Sequence, residues 1–375
     1  MITPPFCPYK ECSQHFEGKH RSNWYRCYGH HCTEAFGKVQ RYQCLFCKRT
    51  FSDQTFSLNY YAKRVISYEQ IFRQLRSTAG IRDLSRNLEI SRGSAENRLF
   101  RMAHWALGFH SLSRQFMHLK EDLVADGFEG YLRSRYFPHH LNILIGKETQ
   151  YFYAMDFTTL RRKGRMSPAQ KRFRQFLDRV CRPDPKGIEK SMARLAEEIL
   201  HLFAGRHKTV LKVYTDDHQA YPRAFRRHKA FNHLMRQGAI IHDAAKGTKQ
   251  PGRGNNLFAV NYMDRQLRKD IVNYVRYTVN TARNASALLE RLCVYRLHHN
   301  CVKPYRENQP KAERWHWNLA GVNGNLVPPM VESRFVWRPF VTFLDLTPGE
   351  KGLWYRLYRT PLKKRGEYLP KYAYS

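Results

Sequence analysis

Six of the nine cysteines of this 375-residue chain lie within its first 47 residues, and this clustering constrains how the N-terminal part can fold. Cys7 and Cys12 form one close pair, and Cys44 and Cys47 form a second. A tetrahedral zinc site with four thiolate ligands needs two such pairs, which meet across a short hairpin. Clustered cysteines in an intracellular chain also favour metal over disulfides. The spacing therefore predicts one structural Zn2+ ion in a zinc ribbon formed by residues 1–60.

Two further cysteines of this region, Cys27 and Cys32, enclose His30 and His31. On their own they offer only two thiols in a cramped loop. We interpret them as ordinary thiols. Whether Cys27 and Cys32 belong to a second metal site, or replace ligands of the first, stays open.

The chain is strongly basic along its whole length. Lys and Arg number 65 against 31 Asp and Glu, which gives a net charge of +34. Such an excess favours a polyanionic partner, because neutralising phosphates releases their counterions. An anionic membrane, or a charge that only keeps the chain in solution, is the alternative. An apolar fraction of 42% excludes disorder throughout and suffices for two or three domains.

No membrane segment is expected. The N-terminal residues lack the basic and apolar pattern of a signal peptide. No apolar run approaches the roughly 20 residues that span a bilayer. The sequence predicts a soluble, cytoplasmic protein.

Residues 61–115 contain a pattern that predicts a helix-turn-helix domain. Residues 81–88 form a short helix, 89–91 a tight turn and 92–101 a second helix that Ser91 caps. Four apolar residues are expected to pack the pair: Leu84, Leu88, Ile90 and Leu99. Arg and Asn can read guanine and adenine edges in the major groove. The side chains expected to point outward to DNA are Arg92, Ser94, Asn97, Arg98 and Arg101. A helical hairpin with a solvated basic face is the alternative.

The next part, residues 116–306, has the alternation of an α/β domain. Strands are predicted at 123–128, 141–145, 151–155, 210–214 and 239–241, with helices at 188–203 and 257–281. Residues 161–207 are read as a basic insertion, in which Arg161, Arg162, Lys163, Arg165, Lys171, Arg172 and Arg174 would contact phosphate. Residues 307–375 are basic and aromatic, with no chemistry that the sequence identifies. His242 and His299 are interpreted as core or surface residues.

Three acids lie within or directly after these elements. Asp126 lies in the first strand, Asp216 follows the fourth, and Asp264 lies on the long helix. Asp122 could replace Asp126, and Asp217 could replace Asp216. Either acid of a pair could instead cap a strand.

Several segments together resemble bacterial insertion-sequence transposases of the DDE class. They are RYQCLFCKRTFS (41–52), the helix-turn-helix, YTDDHQAY (214–221), NYMDRQLR (261–268), RYT (276–278) and HN (299–300). The resemblance covers residues 1 to about 306. It implies a ribonuclease-H-like mixed-sheet fold, with the three acids on the first strand, after the fourth strand and on a following helix.

The resemblance also implies an activity: metal-dependent DNA strand cleavage and strand transfer. Asp126, Asp216 and Asp264 would hold two Mg2+ or Mn2+ ions about 3.5–4 Å apart. Arg265 and Arg268 would reach the phosphate of the scissile strand. The family's third acid is usually Glu, so Glu290 is the alternative to Asp264.

The implied partners are double-stranded DNA, as element ends and target, and further copies of the chain in the DNA complex. The implied location is the nucleoid. Two other functions fit the same parts. One is a non-enzymatic DNA-binding regulator derived from a transposase, and the other is a ribonuclease-H-like nuclease that cuts without joining.

Overall fold

A computed structural model describes residues 3–17, 23–205, 210–245, 254–275, 280–306, 308, 315–363 and 368–374. The RYT segment at 276–278 and residues 206–207 of the basic insertion lie outside these ranges. None of the helices in this part of the chain is both long and apolar enough to cross a bilayer.

The N-terminal part is a small antiparallel sheet. Its strands, in the order β1-β2-β3, are β1 (Tyr25–Thr33), β2 (Gly37–Cys44) and β3 (Thr50–Ser52). Helix α1 (Gln14–Glu17) precedes the sheet, and a 3-10 turn (Asp53–Phe56) follows it. Trp24 and Phe51 stack with ring centroids 5.7 Å apart. This aromatic core is small, and four cysteines lie within the same cluster.

Three helices follow: α2 (Tyr68–Leu75), α3 (Ile81–Asn87) and α4 (Arg92–Gln115). The predicted cap is confirmed, because the Ser94 N–H donates to the Ser91 hydroxyl at 3.1 Å. Leu84 and Leu99 are buried, and Leu88 and Ile90 pack against the same core. The second half of α4 is buried on nearly every side, so this helix passes through the centre of the molecule.

The α/β part is built on a five-stranded mixed sheet in the order β6-β5-β4-β7-β8. Its strands are β4 (Leu123–Tyr131), β5 (Pro138–Gly146), β6 (Phe152–Thr159), β7 (Leu211–Thr215) and β8 (Ile240–Ala244). Strands β4, β5 and β6 are antiparallel neighbours, whereas β7 is parallel to β4 and β8 is parallel to β7. All five strands occur where the alternating pattern predicts them. The sheet is consistent with a ribonuclease-H-like fold.

The helices around the sheet are α5 (Pro168–Val180), α6 (Gly187–Ala204), α7 (Ala220–Arg227), α8 (Lys229–Arg236), α9 (Phe258–Asp270) and α10 (Ala285–Cys301). Only α5 carries the basic character expected of the insertion. Met192 and Ile199 of α6 are fully buried, so α6 is a core helix of the sheet. Helix α9 ends at Asp270, short of the predicted boundary at 281. Ile271 and Tyr274 leave the helical path and are buried, with Tyr274 edge-on to Phe128 at 5.2 Å.

The C-terminal region crosses all three parts. It contains α11 (His316–Leu319), α12 (Val327–Glu332), α13 (Pro348–Trp354) and 3-10 turns at Val341–Phe343 and Lys371–Tyr374. Phe340 enters the core of the N-terminal sheet, 5.0 Å from Phe6. Further along, Trp354 stacks on His104 of α4 at 3.9 Å. The region is therefore a clamp that joins the N-terminal sheet to the helices.

A buried charge cluster lies where four helices meet. The Arg114 guanidinium of α4 contacts Glu350 of α13 at 2.9 Å and Glu198 of α6 at 3.4 Å. Arg296 of α10 and His110 lie 3.8 and 3.6 Å from Glu350. Burial, followed by the charge of Glu350, raises the pKa of Glu198 to about 8. Charges buried this deeply are tolerated only when they are paired.

Arg114→Met is expected to destabilise the fold by about 3–5 kcal/mol, because it leaves two carboxylates buried without their main counter-charge. Denaturant unfolding followed by circular dichroism measures the loss. The matched control is Arg86→Met, which removes an exposed ion pair with Asp83 and should change the midpoint little. Equal midpoints for the two variants would contradict the role given to the cluster.

Candidate functional site

The four cysteines that the spacing singled out come together in the N-terminal sheet. The Sγ atoms of Cys7 and Cys47 are 3.7 Å apart, and those of Cys12 and Cys44 are 3.8 Å apart. All four sulfurs lie within 4.8 Å of one another. The second knuckle closes because the Lys48 N–H donates to the Cys44 carbonyl, with Lys48 in the left-handed region at φ 60°.

The thiols of this cluster differ in acidity. Burial, and then the neighbouring thiols, raise the pKa of Cys7. Burial acts in the same direction on Cys44, but N–H groups of Cys47 and Phe46 outweigh it and lower the pKa of that thiol. Four sulfurs in this arrangement form the ligand set of a structural zinc site. The cluster could hold zinc.

Cys27 and Cys32 are not part of this group. Both are exposed on β1. Within the described ranges, the four-cysteine cluster is the only set of three or more His, Cys, Asp or Glu side chains close enough together to hold a metal ion as they stand.

We expect one equivalent of zinc per chain and loss of the N-terminal fold on chelation, because metal binding supplies much of the folding free energy of so small a module. Cys44→Ser should release the zinc, whereas Cys27→Ser should retain it. A colorimetric zinc assay on the purified variants measures both. Retention by Cys44→Ser, or loss from Cys27→Ser, would contradict the ligand set.

The predicted DNA-reading face of α4 is only partly available. Arg92 is exposed and pairs with Glu96 at 2.8 Å, and Ser94 and Asn97 are half-buried. The expectation that Arg98 and Arg101 point outward is wrong, because both are buried.

Both arginines instead bind the segment that joins the N-terminal sheet to the helices. Arg98 donates to the Tyr68 hydroxyl at 2.7 Å and the Arg64 carbonyl at 2.6 Å. Arg101 donates to the carbonyls of Leu58 and Tyr60, each at 2.7 Å. Their helical spacing matches an exposed face, but the connecting segment covers that face. No local pattern in the sequence predicts that the connecting segment covers this face of α4.

Asp126 and Asp216 lie side by side in the α/β part. Strand β7 runs parallel to β4 with Val124 opposite Tyr214, so two residues further on Asp126 is level with Asp216. Their carboxyl groups are close enough to share a proton. Burial, and then the charge of Asp216, raise the pKa of Asp126 to about 7, against a hydrogen bond from the Gly127 N–H. The His218 N–H donates to Asp216 at 3.0 Å and fixes the turn after β7.

Asp264 lies on α9, which packs against the same strand. Asp126 and Phe128 share one face of β4, and the Arg268 guanidinium of α9 lies 4.9 Å from the Phe128 ring. Asp264 is one helical turn before Arg268. Burial, and then the charges of Asp126, Asp216 and Glu129, raise the pKa of Tyr221 on α7, and Asp264 adds a smaller effect in the same direction. Asp264 therefore lies on the helix that packs against the strand carrying Asp126.

The alternative acids have other surroundings. Asp122 stands at the opposite end of β4 and accepts a hydrogen bond from the Lys212 N–H at 3.3 Å, as a strand cap does. Asp217 is exposed. Glu290 is buried on α10 and pairs with Arg356 at 2.6 Å.

Sequence reasoning missed a polar row on the sheet face opposite Asp126. His140 Nε2 lies 3.1 Å from Asn142 Oδ1 and 3.4 Å from the Tyr221 hydroxyl, and Asn142 donates to Ser191 at 2.8 Å. A Cβ at Gly127 would lie 2.0 Å from the His140 ring, so only glycine fits there. Alternation within β5 could have paired His140 with Asn142 on one face.

The two histidines left open by the sequence are structural. His242 lies 2.9 Å from the Thr215 hydroxyl, and the buried His299 lies 2.9 Å from the Gln150 carbonyl. Both histidines stabilise turns through these contacts and are not part of the proposed acid site.

No protein-family model matches the sequence, and no curated protein matches it. Among solved structures, the chain is similar to a chain of the simian T-cell lymphotropic virus intasome, solved by cryo-EM in complex with the PP2A regulatory subunit B56 gamma. The two are 14% identical with a TM-score of 0.29, over 69% of this chain and 76% of the other. A likeness of this size does not establish a shared function.

Proposed function

We propose that this chain is a DNA transposase of the DDE type, which binds the terminal repeats of an insertion sequence and catalyses metal-dependent strand cleavage and strand transfer. One observation carries the proposal. Asp126, within β4, is in contact with Asp216, directly after the neighbouring parallel strand β7, and no Lys or Arg of the described residues forms an ion pair with either. The chain has 65 such cations in all.

The surroundings of the two carboxylates fit a divalent cation as their missing partner. Oxygen ligands from Asp are what Mg2+ and Mn2+ prefer. Two such ions, bound by Asp126, Asp216 and Asp264, would activate the attacking hydroxyl and stabilise the leaving oxygen at phosphorus. The three aspartates are the catalytic residues of the proposal.

Backbone N–H groups orient the carboxylates of the proposed site. The Gly127 and His218 N–H groups fix one oxygen each of Asp126 and Asp216. Arg265 and Arg268 are exposed on α9, on the helix that carries Asp264, and would contact the phosphate of the scissile strand. Asp264 is preferred to Glu290, since Glu290 already has an arginine partner.

The N-terminal sheet with its four-cysteine cluster, here the zinc module, and the N-terminal end of α4 are proposed to recognise the element ends, with Arg92, Ser94 and Asn97 facing the DNA. The C-terminal clamp joins these parts to the sheet, so DNA held by them stays in a fixed relation to the acids. Two ends in one complex require more than one copy of the chain. Such a protein would act on the nucleoid.

Asp126→Asn and Asp216→Asn are expected to lower strand transfer by roughly a thousandfold or more, since Lewis-acid stabilisation is worth several kcal/mol. Binding to a terminal-repeat duplex should be unchanged, because neither residue lies near the zinc module or α4. A strand-transfer assay with Mg2+ or Mn2+ and a mobility-shift assay measure the two properties.

Asp217→Asn is the matched control, because it removes the adjacent, exposed carboxylate. It should retain activity. Full strand transfer by Asp126→Asn would refute the catalytic assignment. Wild-type protein that cuts without joining would identify a nuclease, and binding without metal-dependent nicking would identify a regulator.

A further inference from the structure

Helix α5 carries an aromatic stripe that the molecule leaves exposed. Phe173, Phe176 and Val180 are 44%, 54% and 56% exposed, and their spacing puts them on one face of the helix. Leu177, next to them around the helix, is buried against the core. The helix is fixed at its start, where the Ser167 hydroxyl accepts from the Gln170 N–H at 3.3 Å. The exposed rings are therefore held on a capped helix.

The rings form a short series, which we call the α5 ladder: Phe176, Phe173 and Tyr136. Phe173 and Phe176 are near-parallel, at 22°, with centroids 6.2 Å apart. Tyr136, in the loop between β4 and β5, is edge-on to Phe173 at 4.8 Å. The Arg162 guanidinium lies 4.5 Å from the Tyr136 ring. One end of the ladder thus has a cation beside it.

Positive charge surrounds the ladder. Lys171, Arg172 and Arg179 are exposed on α5 itself. A groove of about 660 Å3 runs along the helix, and its basic lining residues are Arg161, Arg162, Arg174, Arg182, Arg359 and Lys363. The acids in this groove, Asp178 and Asp184, are already in ion pairs with Arg161 and Lys190. The groove therefore presents excess positive charge.

These features together favour one kind of occupant. A second copy of α5 would bring like charges together, and an apolar protein surface would leave the arginines without partners. Bases in a closed duplex already stack on each other and cannot stack on exposed rings. Unpaired nucleotides offer both a flat face for a ring and a phosphate for a guanidinium, and each stacked base is worth about 1–3 kcal/mol.

We propose that the α5 ladder binds single-stranded DNA, with unpaired bases on Phe173 and Phe176 and phosphates along the arginine groove. The loop that carries Tyr136 follows β4 beyond Asp126, so the ladder lies at the end of the sheet to which the acid-bearing strand runs. Tyr131, the last residue of β4, lies five positions beyond Asp126, or about 17 Å along the strand. Binding at the ladder requires no catalysis and does not depend on the proposed transposase activity.

The test compares Phe173→Ala/Phe176→Ala with wild type in the full-length, zinc-loaded chain. Fluorescence anisotropy measures binding of a labelled thymidine 20-mer and of a duplex of the same length. We expect the double variant to bind the single strand about 10-fold to 100-fold more weakly, and the duplex with less than a twofold change. Alanine favours helix, so α5 should persist, as circular dichroism will show.

Three controls complete the test. Phe173→Tyr/Phe176→Tyr should keep single-strand affinity, because the stacking surface is retained. Phe116→Ala removes a similarly exposed ring (48%) at the end of α4 and should have no effect. Unchanged single-strand affinity in the double alanine variant, or an equal loss for both DNAs, would overturn the proposal. A change in oligomeric state with single-strand binding intact would overturn it in favour of a protein interface.

Discussion

The proposed site depends on a contact between two like charges. Asp126 and Asp216 meet because β4 and β7 run parallel in a register that puts Asp126 level with the end of β7, and neither carboxylate has a basic partner among the described residues. Like charges this close are unfavourable unless one binds a proton or both bind a cation. Burial, and then the charge of Asp216, raise the pKa of Asp126 to about 7. Carboxylates with strongly raised pKa values cluster at functional sites. Here the proposed use is to bind divalent metal.

Buried contacts join the proposed DNA-recognition parts to the sheet. Helix α4 begins at the proposed DNA-recognition end and passes through the centre of the molecule to Arg114, where its guanidinium joins α6 and α13 through Glu198 and Glu350. Ahead of α13 in the chain, Phe340 packs in the core of the N-terminal sheet. The parts proposed for recognition and for catalysis are therefore connected through the core of the molecule.

Much of this arrangement was predictable from the sequence, for reasons that are local. Alternation located the first three strands of the sheet, short apolar runs located the other two, and paired spacing located Cys7, Cys12, Cys44 and Cys47. What the sequence could not show depends on distant segments. Arg98 and Arg101 fit an outward helical face, yet residues 58–64 cover them. The sequence of the C-terminal clamp shows neither helical nor strand periodicity. Its course depends on the segments that it packs against.

The central claim, that Asp126 and Asp216 hold a divalent cation, is tested most directly by metal binding without DNA. Electron paramagnetic resonance counts the Mn2+ ions bound to the zinc-loaded chain and to Asp126→Asn and Asp217→Asn variants. The account predicts Mn2+ binding by the wild type and by Asp217→Asn, and its loss from Asp126→Asn. Equal binding by wild type and Asp126→Asn would contradict it.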